Sequence, residues 1–156
     1  MSEFRFEKKR VSATITLGTG TSVSGSFFVA GSTSNHTGPE RVGDVLNEQP
    51  GFFPFELRDG TTVLYNRAHI VAVALEPGIS EAECDPGYDV APRRNVGMLL
   101  STGMSVKGMV AVYCAPGRDR LSDYARQPQA FRYLVTQTHT LIVNSAHIVE
   151  LLELAD

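Results

Sequence analysis

The sequence has no tryptophan, only two cysteines, and no apolar run long enough to span a bilayer. A membrane helix needs about 20 apolar residues, so no membrane span is expected. Cys84 and Cys114 show no CxxC or CxxH spacing, which removes the common zinc patterns. Neither thiol has the cationic surroundings that make a cysteine reactive. His36, His69, His139 and His147 are scattered and form no His-x-Glu-x-x-His arrangement, so no metal is expected, and no other cofactor. Gly18-x-Gly20 has no helix signal after it, unlike a phosphate-binding loop. With no convergent nucleophile, base and orienting acid, an enzyme is not expected.

An excess of positive charge is also missing: 14 Lys and Arg stand against 17 Asp and Glu, a net charge of −3. Phosphate contacts supply most of the non-specific affinity for nucleic acid, so a strongly electrostatic nucleic-acid binder is disfavoured. Lys8-Lys9-Arg10 and Arg93-Arg94 are the local basic spots, and both read as solvated lead-ins to a strand. Met1 to Glu7 is polar and lacks the apolar segment of an export signal. A cytoplasmic protein with reduced thiols is the resulting expectation.

What the sequence does have is a repeat. Gly20-Thr21-Ser22-Val23-Ser24-Gly25 matches Gly103-Met104-Ser105-Val106-Lys107-Gly108 at an offset of 83 residues. Asn66-Arg67-Ala68-His69-Ile70-Val71 matches Asn144-Ser145-Ala146-His147-Ile148-Val149 at an offset of 78. Between these blocks, Arg41-x-x-Asp44 lies over Arg120-x-x-Asp123, and Phe53-x-Phe55 over Phe131-x-Tyr133. The offset changes within the connecting segments, where insertions are tolerated. Residues 8–76 and 92–154 form two tandem modules. Residues 77–91 join them in an acidic stretch rich in Pro and Gly, which reads as a linker able to leave the second module in almost any orientation.

Each module reads as mainly β. Val11 to Leu17 alternates apolar and polar residues, as a half-buried strand does. Gly18 to Thr21 is a turn, and Ser22 to Ala30 is the returning strand. Gly25 within it, matched by Gly108, marks a bend where a small barrel curls. Pro39 opens a helical pattern from Glu40 to Gln49 with Val42, Val45 and Leu46 on one face. Its Arg41 and Asp44 are expected to face solvent or pair locally. Phe52 to Leu57, the Asp59-Gly60 hairpin signal and Thr62 to Tyr65 give two more strands. Asn66-Arg67-Ala68 breaks the chain before a final strand, His69 to Leu75. That strand is apolar on both faces, with Ile70, Ala72 and Ala74 on one and Val71, Val73 and Leu75 on the other. It therefore belongs deep in a core or at an interface. Five short bent strands can close into a small barrel.

This order, with an abrupt turn before a final apolar strand, resembles the Sm-like (Hfq-like) family. Ala13 to Gly25 is similar to the first Sm motif, and Val63 to Val71 to the second. The helical inserts, about Gly31 to Pro50 and Ala115 to Gln129, are departures, because Sm-like proteins place their helix before the first strand. The resemblance implies two tandem five-stranded barrels, each with a short helix between its second and third strands. It implies self-assembly through outer strands into rings of about six or seven modules, which three two-module chains could form; a dimer is the simpler possibility. It also implies single-stranded RNA bound at the turns before the last strands. Those turns supply Asn66, Arg67 and His69 in the first module, and Asn144, Ser145 and His147 in the second. The family places an Arg-Gly or Lys-His pair there, whereas only Arg67 is a basic match here. Asn and His can bond a base edge; equally, Asn66 and Asn144 can serve the turn itself. A protein partner gripped through a strand edge is the alternative to RNA.

Overall fold

The computed structural model describes residues 8–31, 39–48, 50–113 and 120–155. His36, Cys114 and the polar N-terminal residues lie outside this set. The described chain is mainly β: ten strands in one antiparallel sheet and two short helices. The first module contains β1 (Lys8–Leu17), β2 (Ser22–Ala30), α1 (Val42–Asn47), β3 (Phe52–Leu57), β4 (Thr62–Asn66) and β5 (Ile70–Leu75). The second contains β6 (Arg93–Leu100), β7 (Ser105–Ala111), α2 (Leu121–Ala125), β8 (Phe131–Val135), β9 (Thr140–Asn144) and β10 (Ile148–Glu153).

The two basic spots belong to the strands themselves. Lys8 to Arg10 pair with Ala30 to Phe28, and Arg93 and Arg94 with Ala111 and Val110. The helices are shorter than the apolar pattern predicts. In both, the aspartate of the Arg-x-x-Asp motif reaches back to the amide of its arginine, at 2.8 Å for Asp44 and 3.1 Å for Asp123. This is the carboxylate half of a capping box.

The strand order is β10-β6-β7-β8-β9-β5-β1-β2-β3-β4. The two modules have the same internal order, fifth-first-second-third-fourth. The expected closure into separate barrels is absent from the pairing, because no ladder among the described residues returns β4 to β5 or β9 to β10. The free side of β5 is occupied by β9 of the other module, through Ala72↔Val143, Val73↔Ile142 and Ala74↔Leu141. One continuous open sheet results.

Gly25 sits where β3 crosses close to β2, and a Cβ there would run into the Glu56 carbonyl. Gly108 has the same relation to the Val135 carbonyl. In both modules the strand glycine admits the close approach of the neighbouring strand.

The two cores interlock. Phe27, Phe53 and Phe55 anchor the first, which also takes Phe131 and Ile142 from the second module. The second core, around Met98, Leu100, Tyr124 and Leu134, takes Val71 and Ala72 from the first. β5 thus lies between both, as an all-apolar strand should. Its faces differ from strict alternation: Ile70 joins Val73 and Leu75, while Val71 joins Ala72. The reason is a bulge, since Leu17 pairs with Ile70 and Thr16 with Ala72, leaving Val71 as the extra residue. β10 repeats this at Val149, between Leu100↔Ile148 and Leu99↔Glu150.

The linker is not free to swing. Glu81 is buried, and its carboxylate accepts the amides of Val42 at 2.9 Å and Gly43 at 3.3 Å. Those are orphan donors at the start of α1. The flexible composition is overridden by this side chain, which fixes the linker on the first module.

Candidate functional site

Both turns before the last strands are single 3-10 turns, Arg67–His69 and Ser145–His147. The Oδ1 of Asn66 accepts the Ala68 amide at 3.0 Å, and that of Asn144 accepts the Ala146 amide at 3.1 Å. The two asparagines therefore serve the turn in the same way. Each turn is also held from the first hairpin of its module: Gly18 donates to the His69 carbonyl at 2.8 Å, and Ser101 to the His147 carbonyl at 2.9 Å.

The sheet brings the twin turns together at the β5–β9 joint. Asn144 is buried and sends its Nδ2 across the joint to the Ile70 carbonyl at 2.9 Å. His147 Nε2 meets the Ala68 carbonyl at 2.9 Å, and its Nδ1 meets Ser101 Oγ at 2.7 Å. A carbonyl only accepts, so Nε2 carries the hydrogen, and in the neutral ring Nδ1 accepts from the serine hydroxyl. Ser145 is half-buried and starts the turn, its amide donating to the Ala130 carbonyl at 2.7 Å.

Arg67 is turned inward. It is buried, donates to the Val45 carbonyl at 2.8 and 3.2 Å and to the Phe52 carbonyl at 2.9 Å, and lies over the Phe53 ring. Burial pulls its pKa below the ordinary guanidinium value, opposed by the charge of Glu48. Of the six turn residues, His69 alone is exposed; Asn66 is half-buried. The first turn thus offers little cationic surface, and the second belongs to a module joint.

A second cluster ties α1 to the linker and to β8. Arg41 pairs with Asp44 at 3.1 Å and Asp85 at 2.7 Å, donates to the Glu81 carbonyl, and lies over the Tyr133 ring. Burial works against its charge, but the two aspartates hold its pKa above the ordinary value. Tyr133 donates to Glu81 at 2.9 Å; burial, then the Glu81 charge, pushes its phenol pKa up against the opposing Arg41. Gly43 leaves room for that hydroxyl, which any Cβ would strike. Asn47 bonds both the amide and carbonyl of Phe131, at 2.9 and 2.8 Å, as a neighbouring strand would. Sequence reasoning placed Arg41 and Asp44 but read Glu81 and Asp85 as mere linker. The only prior signal was an acidic stretch in a chain with an Arg-x-x-Asp motif to satisfy. In the second module Arg120 pairs with Asp123 at 3.6 Å but has no counterpart of Glu81 or Asp85 among the described residues, and its side chain is 73% exposed, against 11% for Arg41.

Among the described residues no group of His, Cys, Asp and Glu could hold a metal ion, and no helix is long and apolar enough to cross a membrane. No family model, curated protein or solved structure matches the chain.

Proposed function

We propose that the chain is a non-enzymatic Sm-like assembly module, built of two tandem five-stranded units, whose chains join edge to edge and head to tail. The observation that carries this is the internal joint. It pairs the fifth strand of one module with the fourth strand of the other, and the same two kinds of strand, β10 and β4, stand open at the ends of the sheet.

The outer edges keep apolar residues where the joint buries them. Leu64 on β4 is 64% exposed, whereas Ile142, its equivalent in the joint, is 0% exposed. Val149 on β10 is 62% exposed, against 0% for Val71. Burying one such side chain contributes about 1.5–3 kcal/mol. Repeating the joint register sets Glu150 opposite Tyr65 of the next chain, Leu151 opposite Leu64 and Leu152 opposite Val63. Asn66 then stands where Asn144 stands, its Nδ2 toward the Ile148 carbonyl, and His69 toward the Ala146 carbonyl. Such a heterologous contact closes when the rotation per chain permits, and about three chains would close a six-module ring. The same turns are the resemblance's RNA site, but with Arg67 spent on buried carbonyls, assembly is the better-supported reading.

Light scattering across a concentration series tests it, with anisotropy of labelled U-rich and A-rich RNA at low and physiological salt. Wild type should run at a mass of about three chains, and Leu64→Lys, which would bury a charge in the contact, should fall to one. A wild-type monomer at every concentration sinks the assembly. Salt-sensitive submicromolar RNA binding would return the turns to single-strand recognition. Flat binding curves with an intact ring would leave a protein scaffold.

A further inference from the structure

β8 leaves β7 early. The two strands share a single registered pair, Met109↔Val135, whereas β2 and β3 share three. β8 is drawn instead toward the first module, where Asn47 takes the main chain of Phe131 and Glu81 takes the Tyr133 hydroxyl. The splay opens a cleft of about 610 Å³ between β7, β8, α1 and the linker. That is within the usual range for small-molecule sites.

The lining of this cleft is unlike the rest of the chain. Four of the five tyrosines border it: Tyr88, Tyr113, Tyr124 and Tyr133. Three guanidinium groups also border it, each laid on one of those rings: Arg93 on Tyr88 at 4.3 Å, Arg132 on Tyr124 at 4.9 Å and Arg41 on Tyr133 at 5.4 Å. Arg41 is neutralised by Asp44 and Asp85. Arg132 gives its donors to backbone carbonyls at the end of α2. Arg93 donates to the Tyr88 carbonyl at 2.9 Å, and no carboxylate pairs with it among the described residues. Asp44, Glu48 and Asp85 line the cleft on α1 and the linker, and Asp85 also accepts the Tyr113 hydroxyl at 3.2 Å, while Arg93 and Arg132 are the lining cations without a carboxylate partner among the described residues. Met109 and Tyr113, both part-exposed, stand at its rim.

We propose that this cleft is a binding site for a small planar aromatic anion. Its ring stacks among the tyrosines and Met109, and its carboxylate, sulfonate or phosphate is held by Arg93. Guanidinium on an aromatic platform is suited to both tasks, since it stacks on one face and donates in its plane. Nothing in the proposed assembly needs this site, because the cleft is bordered by β7, β8, α1 and the linker and by no residue of β4 or β10.

The test uses the full chain and the fluorescent anion anilinonaphthalene sulfonate, with uncharged phenylnaphthylamine as control. Wild type should bind one sulfonate per chain, saturably and more tightly than the amine. Arg93→Gln should cost about tenfold in sulfonate affinity, the scale of one charge-assisted hydrogen bond, and leave the amine unchanged. Met109→Trp, a filling change at a part-exposed position, should block both probes. Unchanged circular dichroism and melting would show that these variants fold. The inference is overturned if wild type shows no saturable binding, if Arg93→Gln weakens both probes alike, or if Met109→Trp leaves both bound.

Discussion

Gly43 shows how one missing atom shapes the junction of the modules. Its Cβ position is occupied by the Tyr133 hydroxyl, which Glu81 holds in place. Gly43→Ala should therefore cost about 1–3 kcal/mol in chemical denaturation, as overpacking does, and Tyr133→Phe in the same chain should recover part of it. Arg67 makes the complementary case. Its guanidinium satisfies the carbonyls of Val45 and Phe52 in a buried setting, so Arg67→Met should destabilise the chain by about 2–3 kcal/mol by leaving acceptors unpaired. A destabilisation well under 1 kcal/mol would mean that water replaces the guanidinium there. In the sequence Arg67 looks like a surface cation at a turn. Its burial depends on α1 passing over the turn, which no local pattern encodes.

At the scale of elements, the inner and outer edges share a geometry but differ in chemistry. Glu150 occupies the place of Ala72, and Glu153 that of Leu75, both buried in the first module. In the proposed contact a carboxylate at the interface would oppose association, so Glu150→Ala should shift the assembly midpoint in sedimentation toward lower concentration. An unmoved midpoint would mean that β10 pairs in another register. The succession of strands along the chain and the turn positions were legible in the sequence because alternation and turn chemistry are local. Asp59-Gly60 behaves as its residues demand: Gly60 has a φ of +90°, and the Asp59 carboxylate accepts the Thr61 amide at 2.9 Å, which lowers its pKa. The faces of Ile70 and Val71 were not legible, since the bulge is set by pairing with Leu17 and Thr16. Nor was the capture of the linker, since one buried carboxylate outweighs the flexibility of its Pro and Gly.

Seen whole, the molecule concentrates its ionisable rings between the modules. Tyr113, Tyr124 and Tyr133 all have phenol pKa values pushed upward, chiefly by burial. In the unfolded chain these phenols release protons near pH 10, whereas the folded chain retains them. Above that pH the unfolded state binds fewer protons, so stability should fall as pH rises. Melts followed through alkaline pH check this: the decline should begin near the ordinary tyrosine range and be smaller in Tyr113→Phe, which lacks one of the three phenols. An equal decline in that variant would place the alkaline sensitivity elsewhere.

The β5–β9 joint lies within one polypeptide, so its halves cannot drift apart when it opens. A tether of this length holds them at an effective concentration of the order of millimolar, and a lesion that would dissolve a two-chain contact only makes this one flicker. If the outer edges assemble as proposed, duplication separates two tasks that a single-module subunit would perform with one surface. The inner contact is buffered against both mutation and dilution. The outer edge differs from it in chemistry, and the glutamates on β10, at the places of buried Ala72 and Leu75, carry that difference.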